Sequence, residues 1–345
     1  MAVSTPTIHD IARQARVSAM TVSRALNNRP GVSEETREKV REIAQNLGYV
    51  ANVQAKRLAG GQTNVLGMLV PDIGTEYVGE IVRGVGDALE QSGFDLLLYT
   101  THRDPERERK RLHGVAGGMA DGLLTVLPKT IDSHLAMLEN LALPVVIVDH
   151  RGANTSLPTI GTDNVTGARQ AVQHLAELGH RRVGFITGDP ATGAAVDRLR
   201  GYREGLRAAG LPVDEVLVRQ GDFYQPRGFQ AARELLSLPD APTALFASND
   251  VSAFGAVAAV RELRLRVPDD VSVVGFDDIP SAQQVHPPLT TVRQPLYEMG
   301  AAATRLLLSL LRGGEAVVPR TSLPTTLIVR GSTAPVKGGR HQEPN

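Results

Sequence analysis

Two groupings of side chains in this 345-residue chain have types and spacings that can do specific chemistry. The first is Ala19, Met20, Ser23 and Arg24, spaced to share one face of a short helix. An arginine on such a face can take guanine bidentately at O6 and N7, while alanine and methionine can offer apolar contact to a thymine methyl. The second is a set of polar groups that follow short apolar runs. Asp72 comes after VLGMLV, Asp149 after VVIV, Asn249 and Asp250 after LFAS, and Asp277 after VVGF. Carboxylates accept bidentate hydrogen bonds from neighbouring hydroxyls, so acids and amides aimed at one cleft suit a hydroxyl-rich ligand. An aspartate behind a strand equally serves to cap the next helix, and Asp163 and Asp250 are assigned that structural role.

The elements that must position the first grouping lie in Thr7 to Asn27, TIHDIARQARVSAMTVSRALN. Ile8, Ile11 and Ala12 give one short helix an apolar face, with Thr7 as its cap and Asp10 reciprocating three residues on. Ser18 opens a second helix whose buried face is Val22, Ala25 and Leu26. The pattern is a helix-turn-helix, in which the second helix enters the DNA major groove; the same periodicity also fits an ordinary helical hairpin. A third helix should run from Ser33 to about Leu47, capped by Ser33 and ended by Gly48, with Val40, Ile43, Ala44 and Leu47 packed on the first two.

The second grouping belongs to an alternation of strands and helices. Strands are expected at Val65 to Val70, Leu96 to Tyr99, Gly122 to Val126, Val145 to Val148, Val183 to Ile186, Ala244 to Phe246 and Val271 to Gly275. Amphipathic helices such as Gly79 to Gln91, Ala168 to Leu178 and Ala253 to Leu263 lie between them. Continuous β-branched runs alternating with helices argue parallel sheets covered on both faces, which bind ligands at the carboxyl ends of their strands. The pattern passes through two cycles, before and after about Thr162, and so reads as two similar lobes.

The runs VSAMTVSRALN at Val17 to Asn27, VSEETREKVREIAQNLGYVAN at Val32 to Asn52 and AKRLAGG at Ala55 to Gly61 resemble the lactose/galactose/purine repressor (LacI) family of bacterial transcription regulators. The likeness extends over about residues 5 to 335 and is most specific in the first 60. One departure is Arg16, where the family has glycine in the turn; a positive φ there costs on the order of 1 kcal/mol. The resemblance implies an all-α helix-turn-helix head at 1–51, a hinge helix and linker at 52–62, and an α/β two-lobed periplasmic-binding-protein-like body at 63–335. Lobe one would comprise about 63–162 and 292–324, lobe two about 163–291 and 325–335, and 336–345 would be a disordered tail. Base readout falls to Ala19, Met20 and Arg24, and the resemblance carries phosphate contacts onto Thr7, Ser18, Thr21, Ser23, Asn27, Ser33 and Thr36. It makes NVQAKRL at Asn52 to Leu58 a hinge that orders on DNA, with Leu58 wedged into the minor groove beside Ala55. It carries effector contacts onto Tyr77, Asp149, Arg198, Phe223, Asn249, Asp277 and Gln294: Arg198 to grip a ring oxygen or carboxylate, Phe223 and Tyr77 to stack on a ring face. Purine-type members have a second arginine near Thr192 and two aromatics near Tyr77 and Val78. Threonine and valine here favour a sugar or sugar acid over a purine or nucleoside.

Composition agrees. Residues 1 to 62 hold nine Lys and Arg against five Asp and Glu, and the acidic remainder brings the chain to zero net charge. A basic head on an acidic body suits DNA binding by the head. With no cysteine there is neither a disulfide framework nor a thiolate site. No signal-peptide pattern and no membrane-length apolar run are present, so a cytoplasmic protein is expected. Aromatics are 4% of the chain and tryptophan is absent, which favours a small polar ligand over a long oligosaccharide. An enzyme on doubly wound sheets needs a motif. Gly84-Val85-Gly86 lacks the third glycine of a dinucleotide fingerprint, Lys129-Thr130 lacks the P-loop glycine, and there is neither G-x-S-x-G nor H-E-x-x-H. No cofactor or metal is expected. A transport protein would need an export signal and would have no use for Thr7 to Leu58. The tail lacks leucine heptads, so a homodimer on a pseudo-palindromic operator is expected.

Overall fold

The computed structural model describes residues 6–26, 28–49, 62–102, 104–127, 132–150, 155–314 and 320–336. The chain divides into two compact units, Met1–Thr63 and Asn64–Asn345.

The first unit is three helices: α1 (Ile8–Ala15), α2 (Ala19–Leu26) and α3 (Glu34–Asn46). Their core is Ile11, Ala12, Ala15, Val22, Ala25, Val40 and Ala44, with Ile43 and Leu47 packed at its margin. The Asp10 carboxylate accepts from the Thr7 backbone N–H at 2.9 Å and from its hydroxyl at 2.7 Å, which fixes the entry to α1. Arg16 closes α1 in the left-handed region, φ 57° and ψ 43°. Ser18 Oγ accepts the Thr21 N–H at 3.0 Å, and Ser33 Oγ accepts that of Thr36 at 3.3 Å. Gly48, at φ 64°, ends the third helix.

The second unit holds two six-stranded sheets. The first builds up through β1 (Val65–Val70), α4 (Glu76–Leu89), β2 (Asp95–Thr100), α5 (Pro105–Gly114), β3 (Gly122–Val126), α6 (Asp132–Glu139), β4 (Val145–Val148) and β5 (Thr159–Thr162). The second follows through α7 (Asn164–Glu177), β6 (Val183–Ile186), α8 (Gly193–Ala208), β7 (Val218–Arg219), α9 (Gln225–Leu236), β8 (Ala244–Ala247), α10 (Asp250–Glu262), β9 (Ser272–Asp277) and β10 (Thr290–Arg293). The chain then returns: α11 (Leu296–Leu311) packs on the first sheet's core and β11 (Arg320–Leu323) pairs with β5. Last comes β12 (Thr326–Ile328), antiparallel to β10. The orders are β11-β5-β4-β3-β1-β2 and β12-β10-β9-β8-β6-β7, and every other pairing is parallel.

The expected strands are present, each within two residues of its expected ends. The three named helices begin three or four residues earlier than expected, because Thr75, Asp163 and Asn249 cap them. The strands β5, β7, β10 and β11 were not anticipated. Their sequences TIGT, VR, TTVR and RTSL lack a continuous apolar run, yet Thr159, Thr290 and Thr291 are fully buried. Of the two glycines in Gly84-Val85-Gly86, Gly84 has a packing explanation. A Cβ on Gly84 would sit 2.0 Å from the Tyr297 carbonyl oxygen, and one on Gly300 would sit 2.1 Å from that of Ile81, so α4 and α11 touch backbone to backbone.

Candidate DNA-reading helix and effector cleft

On α2 the apolar side is consumed by the core, and what remains outward is Met20, 66% exposed, and the exposed Arg24, flanked by half-buried Ala19 and Ser23. A methionine this exposed has no role in the head's own packing. The expected phosphate-contacting hydroxyls are in chemically distinct states. Ser18 and Thr21 share one hydrogen bond of 2.9 Å, and Ser33 and Thr36 one of 2.8 Å, so each pair keeps one hydroxyl proton for a partner. The Thr7 hydroxyl instead gives its proton to Asp10. Asn27, Ala55 and Leu58 lie outside the described residues.

Arg37, unforeseen from sequence, braces this surface from beneath. It is 9% exposed and donates from Nη1 to the Ala25 carbonyl at 3.1 Å and from Nη2 to the Arg29 carbonyl at 3.2 Å. These tie the open end of α2 to α3. Its Nε also pairs with Glu34 Oε2 at 3.3 Å.

In the body, the carboxyl ends of both sets of strands meet at a cavity of about 360 Å³. Tyr77, Asp149, Arg198, Phe223, Asn249 and Asp277 all line it. Gln294 does not. It lies one layer behind, 3% exposed, donating from Nε2 to Asp277 Oδ1 at 2.7 Å and accepting from the Thr162 hydroxyl at 2.6 Å. Its expected contact with an effector is therefore corrected to a brace for Asp277. Asp250 is structural, as expected, but Asn249 is the residue that caps α10, through the Ser252 N–H at 2.9 Å. Asp250 accepts instead from the Ile279 N–H at 2.9 Å and from the Thr291 hydroxyl. Asp163 caps α7 through the Thr166 N–H at 3.0 Å.

The expected stacking role of Tyr77 is also modified, because its hydroxyl donates to Asp149 Oδ2 at 2.6 Å and so aims that carboxylate. Burial, and then the negative charges of Asp149 and Asp277, push the Tyr77 phenol well above its ordinary range. Arg198 is 2% exposed. Its Nε donates to Asn164 Oδ1 at 2.8 Å, its Nη1 to the Ser248 carbonyl, and it stands 3.3 Å from Asp277 Oδ1 and 3.9 Å over the Phe276 ring. Burial raises the Asp277 carboxyl to about 7 despite Arg198, which pulls the other way.

Backbone strain gathers at the same place. Leu127, Asp149, Phe223 and Asp277 all line the cavity with φ between 48° and 117°. Such conformations cost of order 1–3 kcal/mol each and concentrate at ligand clamps. Phe223 can lie down only because its neighbour is Gly188, where a Cβ would come within 1.9 Å of the ring. Four further carboxylates complete the lining: Asp72, Glu76, Glu108 and Asp189. Asp189, shortly after β6, carried the strand-end signal and was passed over, whereas Glu108, in the charge-rich PERERKRLHG, carried none. Glu76 reaches from α4 to the short 3₁₀ turn Pro280–Gln283, accepting from Ser281 N–H at 2.8 Å and from its hydroxyl. Thr192, where purine-type members have arginine, caps α8. Among the described residues, no group of three or more His, Asp or Glu side chains can hold a metal ion, and no helix is long and apolar enough to cross a membrane.

A model of the lacI family of bacterial regulatory proteins matches residues 7–52, and one of a periplasmic binding protein-like domain matches 172–333. The HTH-type transcriptional regulator DegA of Bacillus subtilis is 36% identical over 335 residues, 96% of this chain and 98% of its own. The chain belongs to the lacI family. It is a DNA-binding transcription regulator, not an enzyme, and its fold is the family's head and two-sheet body. Among solved structures, the CelR–cellobiose complex is 37% identical with a TM-score of 0.74, covering 95% of this chain and 99% of that one. The lac repressor dimer bound to operator and the anti-inducer ONPF is 30% identical with a TM-score of 0.84, covering 96% and 100%.

Proposed function

We propose that this lacI-family regulator is a cytoplasmic repressor that binds a pseudo-palindromic operator as a homodimer and is controlled by a small, neutral, hydroxyl-rich effector of the sugar class. The observation that carries the effector half is the cavity, whose walls combine hydrogen-bonding acids with aromatic rings from both lobes. The charge at its wall is one-sided: six carboxylates and a single guanidinium, already committed to Asp277, among the described lining residues. A sugar acid would meet like charge on most sides, so a neutral sugar is the better fit. The CelR–cellobiose complex and the operator-bound lac repressor dimer support the two halves of the reading.

On the DNA side, Ala19, Met20 and Arg24 read bases, and Thr7, Ser18, Thr21, Ser23, Asn27, Ser33 and Thr36 position the head on phosphates. Ala55 and Leu58 act at the minor groove. Selection of bound duplexes from a random library with the full chain tests this. It should return a sequence with dyad symmetry, and Met20→Gln, able to read adenine at N6 and N7, should change one base per half-site with discrimination of about 1–3 kcal/mol. A selection that returns no enriched sequence overturns the operator reading; an identical operator from Met20→Gln removes Met20 from the base contacts.

A further inference from the structure

Phe223 and Tyr224 are consecutive, and both line the cavity. In an extended segment successive side chains point to opposite sides, so two neighbours facing one space require a break in the backbone. The break is Phe223 itself, at φ 71°, while Tyr224 is ordinary extended chain at φ −105° and ψ 151°. A bulky aromatic at positive φ is an outlier that only its surroundings can hold in place. Here Asp222 accepts the Tyr224 N–H at 2.9 Å and Asn249 donates to the Phe223 carbonyl at 3.1 Å. The strain therefore has a product, which is a pair of rings presented to one ligand.

The two rings occupy different depths. Phe223 lies on Gly188 with the buried Arg198 guanidinium 5.9 Å from its centroid, whereas Tyr224 is 41% exposed. An exposed tyrosine at the edge of a cavity offers an apolar ring face of the kind that stacks on a pyranose. The cavity, about 360 Å³, falls in the range of about 300–1,000 Å³ typical of small-molecule sites. We infer that Tyr224 forms an outer sugar seat, so that the cleft takes a neutral disaccharide or comparable two-ring glycoside, one ring against Phe223 and Arg198 and the other against Tyr224. Gln225 and Asp189, which also line the cavity, supply hydrogen-bonding groups for the second ring's hydroxyls.

The inference rests on the carbohydrate reading above, and calorimetry on the full chain separates the two. The probes are monosaccharide–disaccharide pairs (glucose with cellobiose and maltose, galactose with lactose, xylose with xylobiose) and gluconate as the anionic control. At least one disaccharide should bind about tenfold or more tightly than its parent monosaccharide, a step of about 1.4 kcal/mol. That ratio should collapse toward one in Tyr224→Ala and persist in Tyr224→Phe, which keeps the ring. Equal affinity for parent and disaccharide, a ratio that survives Tyr224→Ala, or preferred binding of gluconate overturns the outer seat. Binding of no sugar overturns the carbohydrate reading and the outer seat with it.

Discussion

Burial holds the Asp277 carboxyl near 7, although Arg198 at 3.3 Å and the Gln294 amide at 2.7 Å both favour its ionised form. Its ordinary value is 3.8, so between about 4 and 7 the folded body carries a proton that the unfolded chain has lost. Through this group, the effector-free body loses stability as pH rises across that window, with no further loss above it. Ligand binding runs the other way. The ionised carboxylate accepts hydroxyl hydrogen bonds that the neutral acid accepts less well, so affinity for a bound sugar should rise from pH 6 to pH 8. Titration calorimetry at intervals through that range checks this, and Asp277→Asn should flatten the profile. A wild-type profile without slope would show that Asp277 does not meet the ligand. The strand-end position of Asp277, directly behind VVGF, was legible in sequence, although an aspartate there equally serves to cap a helix. Its braces were not. Gln294 and Thr162 are 132 residues apart, and Tyr77 and Asp149 are 72 apart, and nothing in one-dimensional spacing pairs them.

Each element owes its visibility in the sequence to a different signal. The core strands VLGMLV, GLLTV and VVIV announce themselves as apolar runs, buried along almost their whole length. TTVR at β10 does the same work with two threonines whose hydroxyls are satisfied by Asp250 and Thr333, so its polarity misleads a reading based on hydrophobicity. The left-handed Arg16 was foreseen as the exception in the turn, and the left-handed Phe223 was not, because no glycine or asparagine flagged it. In the head, α2 depends on Arg37 for the carbonyls at its open end. Arg37→Met keeps much of the stem's packing but leaves those carbonyls without their charged donor, a loss of about 1.5–3 kcal/mol. Hydrogen exchange on the full chain should show the amides of α2 and α3 opening more readily by that amount, with the sheets of the body unchanged. Unaltered protection in α2 would mean that Arg37 is a surface cation with an incidental contact.

At the scale of the molecule, the chain combines a unit whose outward helix face suits bases with a unit whose strand ends enclose a polar cavity. A regulator is more than these two parts, because ligand in one must change the DNA affinity of the other by a coupling free energy. A ligand with equal affinity for both states of the protein changes nothing, and typical couplings are about 1–3 kcal/mol, or roughly 5–150-fold. The measurement that tests this most directly is the affinity of the full chain for its selected duplex, by fluorescence anisotropy at fixed salt, across a titration with the sugar that binds most tightly. The selected duplex should be preferred over random DNA, with a log–log salt slope near −0.9 for each phosphate neutralised. Saturating sugar should move its affinity at least about fivefold. Arg198→Met, which removes the buried guanidinium from the cavity wall, should abolish that change while duplex binding without sugar persists. Equal affinity for selected and random duplexes, or an affinity that saturating sugar leaves where it was, would contradict the account.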